Sequence, residues 1–415
     1  MADQSGRRLV GSITEIRDLR TGVPVWARYL RPAVRYSALE SPIRTDVVVI
    51  GSGITGALVA QMTTAMGLQT VVLDRRPPAH GSTAASTALV QFEIDTPLIH
   101  LADDLGIERA ARIWLRAYRA VNNLVELIEQ LHIPCNLRSR RALYLAGNIL
   151  DADAMAAECR LRQSINLPSR FLDNAELKEY AGLDRSAALL SDGAADVDPS
   201  SLTAGLFNLA IANGCRLFSP VQLAEVVPLQ HRVEMVTGTG LELEAKALVF
   251  ATGYELAKGV PASGHRRTST WAFATRPQPE RLRNNANVVW EASEPYLYVR
   301  STIDGRVVVG GEDEDIDDEV ARDRLLPVKI AALQVNINEL IPWIDIAADC
   351  AWAGTFGESD NGLPSIGPVP GMPNCYAVLG YGGNGITFAM IAAQILGAQL
   401  RGRRDPDAEL FDFER

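Results

Sequence analysis

Asp46-Val47-Val48-Val49-Ile50-Gly51-Ser52-Gly53-Ile54-Thr55-Gly56 is the stretch whose reading decides the fold. An apolar strand runs into G-x-G-x-x-G, and each glycine has a mechanical reason. The first makes the tight turn, the second lets backbone approach a diphosphate, and the third lets the following helix pack closely on the strand. A diphosphate at that helix N-terminus meets unpaired N–H groups and the positive end of the helix dipole. Leu58, Met62, Ala65 and Met66 then fall at helical spacing, and Thr70–Leu73 returns as a second apolar strand. Asp74 follows, where a carboxylate can accept both ribose hydroxyls. Strand, turn, helix, strand and acid in this order predict a dinucleotide site. Arg75 and Arg76 come next and leave two readings open, a 2′-phosphate contact or a solvated turn.

A chain of 415 residues exceeds the usual size of one core, so two interleaved domains are expected. The 47% apolar and 22% charged residues describe a globular protein with a large core. A formal charge of −10 argues against a general nucleic-acid surface. The acidic run Glu312-Asp313-Glu314-Asp315-Ile316-Asp317-Asp318-Glu319 lacks the glycine of a calcium loop and reads as a solvated loop, with no metal assigned. Neither a secretory signal nor a stretch of membrane-spanning length is found, which places the protein in the cytoplasm. Cys135, Cys159, Cys215, Cys350 and Cys375 are scattered and odd in number, as suits reduced thiols.

Residues 1–40 read as an arm over the body. Helical periodicity from Leu98 to Leu131 and over Asp151–Gln163 predicts a cap. Asp196-Val197-Asp198-Pro199 breaks the chain and precedes a predicted helix, Ser200–Ala212, closed by Asn213-Gly214. Strands are expected at Leu217–Val227, His231–Thr237 and Glu242–Phe250, the last meeting Ala251-Thr252-Gly253. Asn287–Trp290, Tyr296–Ser301 and Arg306–Val309 alternate around an Asp304-Gly305 turn. A helix is predicted over Leu326–Leu340, and Gly380-Tyr381-Gly382-Gly383-Asn384-Gly385 precedes a final apolar helix, Ile386–Leu400.

An ordered set of elements resembles the FAD-dependent D-amino-acid oxidase superfamily, of the glycine oxidase, sarcosine oxidase and γ-glutamylputrescine oxidase type. The set is DVVVIGSGITG, GSTAAST (81–87), DVDPSSL (196–202), ALVFATGY (247–254), DGRVVVGGEDE (304–314), WAGTFGESDNGLPSIGPVP (352–370) and GYGGNGITFA (380–389). The resemblance implies an α/β, two-domain fold: a discontinuous Rossmann-type FAD-binding domain, and a substrate domain with an antiparallel sheet and helices. The former would comprise 41–105, 195–262 and 353–415, the latter 106–194 and 263–352.

The resemblance also implies an extended FAD, with adenine toward Leu223 and ribose on Asp74 beside Arg75. The diphosphate would lie on Gly51, Gly53, Ile54, Thr55 and Gly56 and on Ser82, Thr83, Ala85, Ser86 and Thr87. The ring system would lie near Thr252, Gly253, Trp352 and Gly354, with backbone of Gly382, Gly383, Asn384, Gly385, Ile386 and Thr387 toward its pyrimidine edge. Asn384 stands where many relatives carry histidine. Sarcosine oxidases bond flavin through a cysteine two residues before an aromatic, a spacing that Cys350-Ala351-Trp352 shares. A buried thiol is the competing reading.

The chemistry implied is oxidation of the C–N bond of an amine or amino acid, with oxygen or another acceptor taking the electrons onward. Hydroxy-acid or polyol oxidation, or service as a subunit of a multicomponent dehydrogenase, are the alternatives. His80, His100, His132, His231 and His265 sit in no catalytic pattern, and no catalytic side chain is nominated. Arg300 is the candidate partner for a substrate carboxylate, because a guanidinium fork suits that group and relatives bind substrate from this sheet. An ordinary ion-paired arginine competes with this reading. Tyr298 and Tyr296 follow by strand alternation, with Gln91 and Glu93 as further candidates.

Overall fold

The strand Ile43–Ile50 lies inside a nine-stranded sheet, flanked in parallel by Glu242–Phe250 on one side and Thr70–Leu73 on the other. Arg216–Phe218 extends the parallel set beyond Thr70–Leu73. Cys375–Leu379 pairs in parallel with the last residues of Glu242–Phe250, whose first half instead joins an antiparallel meander, Leu223–Pro228 and Val233–Thr237. The computed structural model describes residues 8–282 and 287–415.

Three apolar helices cover this sheet, Ile54–Ala65, Pro199–Ala212 and Gly385–Leu400, and the first packs against both others. Each is buried on nearly all sides, as its composition requires. Pro199–Ala212 begins where Asp198 accepts the Ser200 and Ser201 amides, and Pro199 at the first position has no amide to satisfy. Gly56 fixes the approach of Ile54–Ala65 to its strand, because a Cβ there would collide with the Gly51 carbonyl oxygen. Gly51 itself sits at φ +110°, a conformation that glycine alone adopts cheaply.

The second sheet has ten strands and is antiparallel except where Asn287–Glu291 runs parallel to Arg138–Leu145. His265–Thr275 pairs with both Ala348–Ser359 and Val307–Glu314. Helix Glu319–Leu340 backs it, packing Leu333 and Ile337 against Trp271 and Phe273. Ala348–Ser359 belongs to this sheet throughout, so it runs across the boundary expected at 353. The cap helices are Leu98–Leu105, Ile107–Gln130 and Ala152–Ser164, the first two separated by Gly106 at φ +80°. The expected strand Leu217–Val227 is two strands, Arg216–Phe218 and Leu223–Pro228.

The acidic run departs from its expected solvated loop. Glu312–Glu314 closes the strand Val307–Glu314, and Asp318 caps the next helix by accepting the Ala321 amide. The N-terminal arm is a clamp across both sheets: Leu9–Val10 pairs with Leu223–Pro228, and Arg20–Gly22 pairs with Ala348–Ser359. No helix among the described residues is long and apolar enough to cross a membrane.

Gly56→Val forces the first helix off its strand. The expected loss is about 1–3 kcal/mol of unfolding free energy, read from urea denaturation. An unchanged midpoint would mean that the close approach is not required.

Candidate active site

The strand-to-helix turn at Gly51 opens into a cavity of about 830 Å³ whose walls come from both sheets. At one end lie Gly51, Gly53, Ile54, Thr55, Asp74, Arg75, Leu223, Thr252 and Gly253, joined by Ser82, Thr83, Ala85, Ser86 and Thr87. Thr83 Oγ1 accepts the Ile54 amide at 3.0 Å, tying the short Ser82–Ala85 turn to the helix N-terminus. Asp74 Oδ2 accepts the Ser52 amide and hydroxyl, both at 2.6 Å, and Oδ1 accepts the Arg76 amide at 2.8 Å. These bonds hold the carboxylate at the cavity wall with lone pairs remaining for a ligand hydroxyl. Arg75 and Arg76 both pair with buried Glu255 and reach arm carbonyls, those of Glu15 and Arg17 respectively. Their charge is thereby committed to structure, which removes the support for a 2′-phosphate reading.

The other end is closed by Gly382, Gly383, Asn384, Gly385 and Ile386, with Gly354 in the wall. Asn384 is a latch: Oδ1 accepts the Asp95 amide and Nδ2 donates to the Glu93 carbonyl, both at 3.1 Å. Thr387 does not line the cavity and instead donates to the Gln91 carbonyl at 2.8 Å. The latched segment Gln91–Asp95 is anchored from below by Arg162, wholly buried, which bonds Glu93 at 2.6 Å and Glu158 at 2.7 Å. Glu158 in turn accepts the first amides of helix Leu98–Leu105. One backbone donor of the glycine segment is already used, since Gly383 donates to Asp95 Oδ2 at 2.8 Å.

Tyr296 and Tyr298 line the cavity with ring centroids 5.6 Å apart, and Tyr298 lies over Gly310, where any side chain would strike it. Tyr144 and Trp290 form a second aromatic wall, stacked at 3.8 Å. Several buried polar atoms on these walls have no protein partner: Ser82 Oγ near the turn, then Gln91 Oε1, Thr270 Oγ1, Trp290 Nε1 and both oxygens of Asp313. Unpaired buried polar atoms are costly, and their gathering at one cavity marks a place where a ligand supplies the partners.

The residues that sequence reasoning missed are acidic. Asp95, Glu291, Glu294, Asp313, Glu314, Asp315, Glu358 and Asp360 line this end, against Arg266 as the arginine among the lining residues there. Glu358 binds Arg266 at 2.9 Å, Glu291 binds Arg185 at 2.8 Å, and Glu314 binds Lys329 at 2.5 Å. Crowding by surrounding protein raises the half-buried Asp313 carboxyl to about 7 and the Asp95 carboxyl, although it is open to the cavity, to about 6, and neighbouring carboxylates add to both. A glycine pair before an acidic run was the available signal for Asp313. Gly311 at φ +136° interrupts the strand pairing and brings Asp313 beside Thr270.

The structure corrects the placement of four candidates, none of which lines the cavity wall. Arg300 is buried away from the cavity, and its Nη1 donates to the carbonyls of Thr87, Ala88 and Val197 at 2.7–3.0 Å while the guanidinium stacks 5.2 Å from the Trp26 ring. It shares a strand face with Tyr298, but its guanidinium is taken up by the Thr87, Ala88 and Val197 carbonyls and lies 3.5 Å from Asp196, which favours the reading of an ion-paired structural arginine. Cys350 does not line the cavity either; its Sγ accepts from Arg28 Nε at 3.2 Å. Trp352 packs behind the Ser82–Ala85 turn and donates to the Ala85 carbonyl at 2.8 Å. Gly56 also lies outside the wall, acting through helix packing.

This architecture, a parallel-sheet dinucleotide crevice facing a second sheet across a deep cavity, defines a class of flavoprotein. Residues 46–399 match the family described as FAD dependent oxidoreductase, and the chain belongs to that family. It is 24% identical over 391 residues to γ-glutamylputrescine oxidoreductase of Escherichia coli, covering 91% of this chain and 87% of that protein. It is 21% identical over 393 residues to glycine oxidase of Geobacillus kaustophilus, covering 89% and 96%. The crystal structure of that oxidase superposes with a TM-score of 0.75 at 19% identity, over 90% of this chain and 99% of the other. L-proline dehydrogenase from P. horikoshii gives 0.73 at 16% identity, over 89% and 97%. The cofactor of the family is FAD.

Two substitutions check the corrections. Acid precipitation releases all flavin into the supernatant, and Cys350→Ala leaves flavin content unchanged; flavin mass retained on the denatured chain contradicts this. Arg300→Met leaves buried carbonyls unpaired and lowers stability by roughly 1–3 kcal/mol without altering any preference between charged and neutral substrates.

The carboxyl of Asp313 gives a pH test. Its folded pKa of about 7 lies above the unfolded value, so below pH ~4 both states hold the proton and no penalty exists. As pH rises toward 7 the unfolded chain ionises first, and stability falls. Asp313→Asn therefore raises the melting temperature by a few degrees at pH 8 and leaves it unchanged at pH 4. A gain of equal size at both pH values would show that ionisation is not the cause.

Proposed function

We propose that this protein oxidises the C–N bond of an amine or amino acid, with FAD as acceptor of the hydride. The observation that carries the reading is the continuity of the crevice that begins at Gly51 and Asp74 with the aromatic, acidic pocket at Tyr296, Tyr298 and Gln91. A cofactor lying in the first part would present its far end to the second.

Fit to FAD is supported by the backbone at Gly51 and Gly53, by the unpaired Ser82 hydroxyl, and by Asp74 held with free lone pairs. In this reading Asp74 would hold the ribose, the Gly51–Thr55 turn and Ser82–Thr87 would hold the diphosphate, Leu223 would border the adenine, and Thr252, Gly253, Gly354 and Gly382–Ile386 would hold the ring system. Bound FAD supplies two-electron chemistry, accepting hydride from a C–H bond beside nitrogen.

The remaining work belongs to the chain. Tyr296, Tyr298, Tyr144 and Trp290 enclose the substrate and exclude water, while the Gln91 side-chain oxygen Oε1 accepts from an amine N–H. Loss of hydride from carbon and of a proton from nitrogen forms C=N; water then adds to the carbon and the C–N bond breaks, releasing a carbonyl compound and the nitrogen as ammonia or an amine. The amine reacts as its free base, so no histidine is required. We place the protein in the cytoplasm with five reduced, buried cysteines, and with oxygen or another acceptor completing the cycle.

Anaerobic mixing with a panel of amines, N-methyl amino acids, D-amino acids and hydroxy acids tests the reading. Bleaching of the flavin's long-wavelength band by nitrogen compounds is expected. Bleaching by hydroxy acids alone would sink it.

A further inference from the structure

At the substrate end of the cavity Glu291, Glu314 and Glu358 are matched by cations, whereas Asp95 and Asp313 take part in no ion pair among the described residues. Asp313 faces the Thr270 and Tyr296 hydroxyls without completing a hydrogen bond to either, and among the described residues no basic side chain pairs with it. Asp95 is held by one backbone amide alone, and it raises the Asp313 carboxyl electrostatically, so the two act on one space. Gln91, 7% exposed, adds an acceptor oxygen with no partner. The aromatic rings of Tyr296 and Tyr298 line the same space, and Asp313 acts on both phenols. Arg300, the cation that could have offset this charge, is taken up by the Thr87 and Ala88 carbonyls.

A substrate carboxylate brought here meets like charges. A protonated amine meets two carboxylates, an amide oxygen and aromatic rings, each favourable to a cation. We infer that the substrate is a diamine or polyamine: one amine is oxidised, and a second, protonated amine is held by Asp95 and Asp313 against Tyr296 and Tyr298. This rests on the reading of the site as one that oxidises C–N bonds. The raised carboxyl pKa values agree with it, because an ammonium group restores the ionised form and relieves the cost of burying that charge.

The test is flavin reduction of the holoenzyme at pH 8 by three chain-matched series: α,ω-diamines of three to six carbons, 1-aminoalkanes and ω-amino carboxylates. The diamine of best length should reduce the flavin at least tenfold more efficiently than its monoamine, and the ω-amino carboxylate should be the poorest of the three. Asp313→Asn should lower the diamine-to-monoamine ratio about tenfold; should that variant lose flavin, the same collapse of the ratio is read in wild-type protein as pH falls from 8 to 6. Monoamines or amino acids that reduce the flavin as well as any diamine overturn this inference and leave C–N oxidation standing. Failure of every nitrogen compound, with hydroxy acids active, overturns both.

Discussion

The structure depends on the close approach of the helix Ile54–Ala65 to the end of the strand Ile43–Ile50. Only hydrogen at the Gly56 α-carbon allows the Gly51 carbonyl to sit where it does. That contact sets where the helix N-terminus points and so where a diphosphate is met by free amides. The turn Ser82–Ala85 then docks on the same terminus through Thr83, and Trp26 and Trp352 hold the turn from behind. Every later element of the cavity is positioned relative to this corner.

From that corner the chain adds polar latches to its broad apolar contacts. Asn384 and Thr387 bind the backbone of Gln91–Asp95, and the buried Arg162 with Glu93 and Glu158 holds that segment from the opposite side. Buried ion groups of this kind contribute little net stability when complete, yet breaking one leaves an uncompensated charge. Their effect here is to fix where Asp95 and Gln91 face. The arm clamps both sheets in a similar way, with Glu15 and Glu255 shared among Arg75, Arg76 and Arg267.

The acidic end of the cavity follows from these fixed positions. A carboxylate on a flexible loop would rotate into water; Asp313 cannot, because it follows the irregular pairing at Gly311 in a strand bonded on both sides. Its charge is therefore held against the cavity at a cost to stability, a common arrangement where a site is set up for its ligand. The aromatic rings of Tyr296 and Tyr298 supply the counterpart, an apolar wall that still attracts cations.

The sequence by itself determined what depends on local pattern. Strand alternation, helix caps and the G-x-G-x-x-G spacing are read over a few residues, so the dinucleotide unit, the helix after Asp198-Pro199 and the final helix were all legible. The relation between distant segments was decided by tertiary structure alone. Arg300 has the same sequence signature whether its fork meets a substrate or three carbonyls, and only the course of Thr87-Ala88 across it selects the carbonyls. Cys350 keeps the spacing to Trp352 but ends on Arg28, because the arm crosses there. Asp313 looks like one acid in a solvated run until the irregular pairing at Gly311 brings it beside Thr270. Charge in a sequence is one-dimensional, whereas its energy depends on which surfaces remove it from water, and those surfaces come from residues far away along the chain.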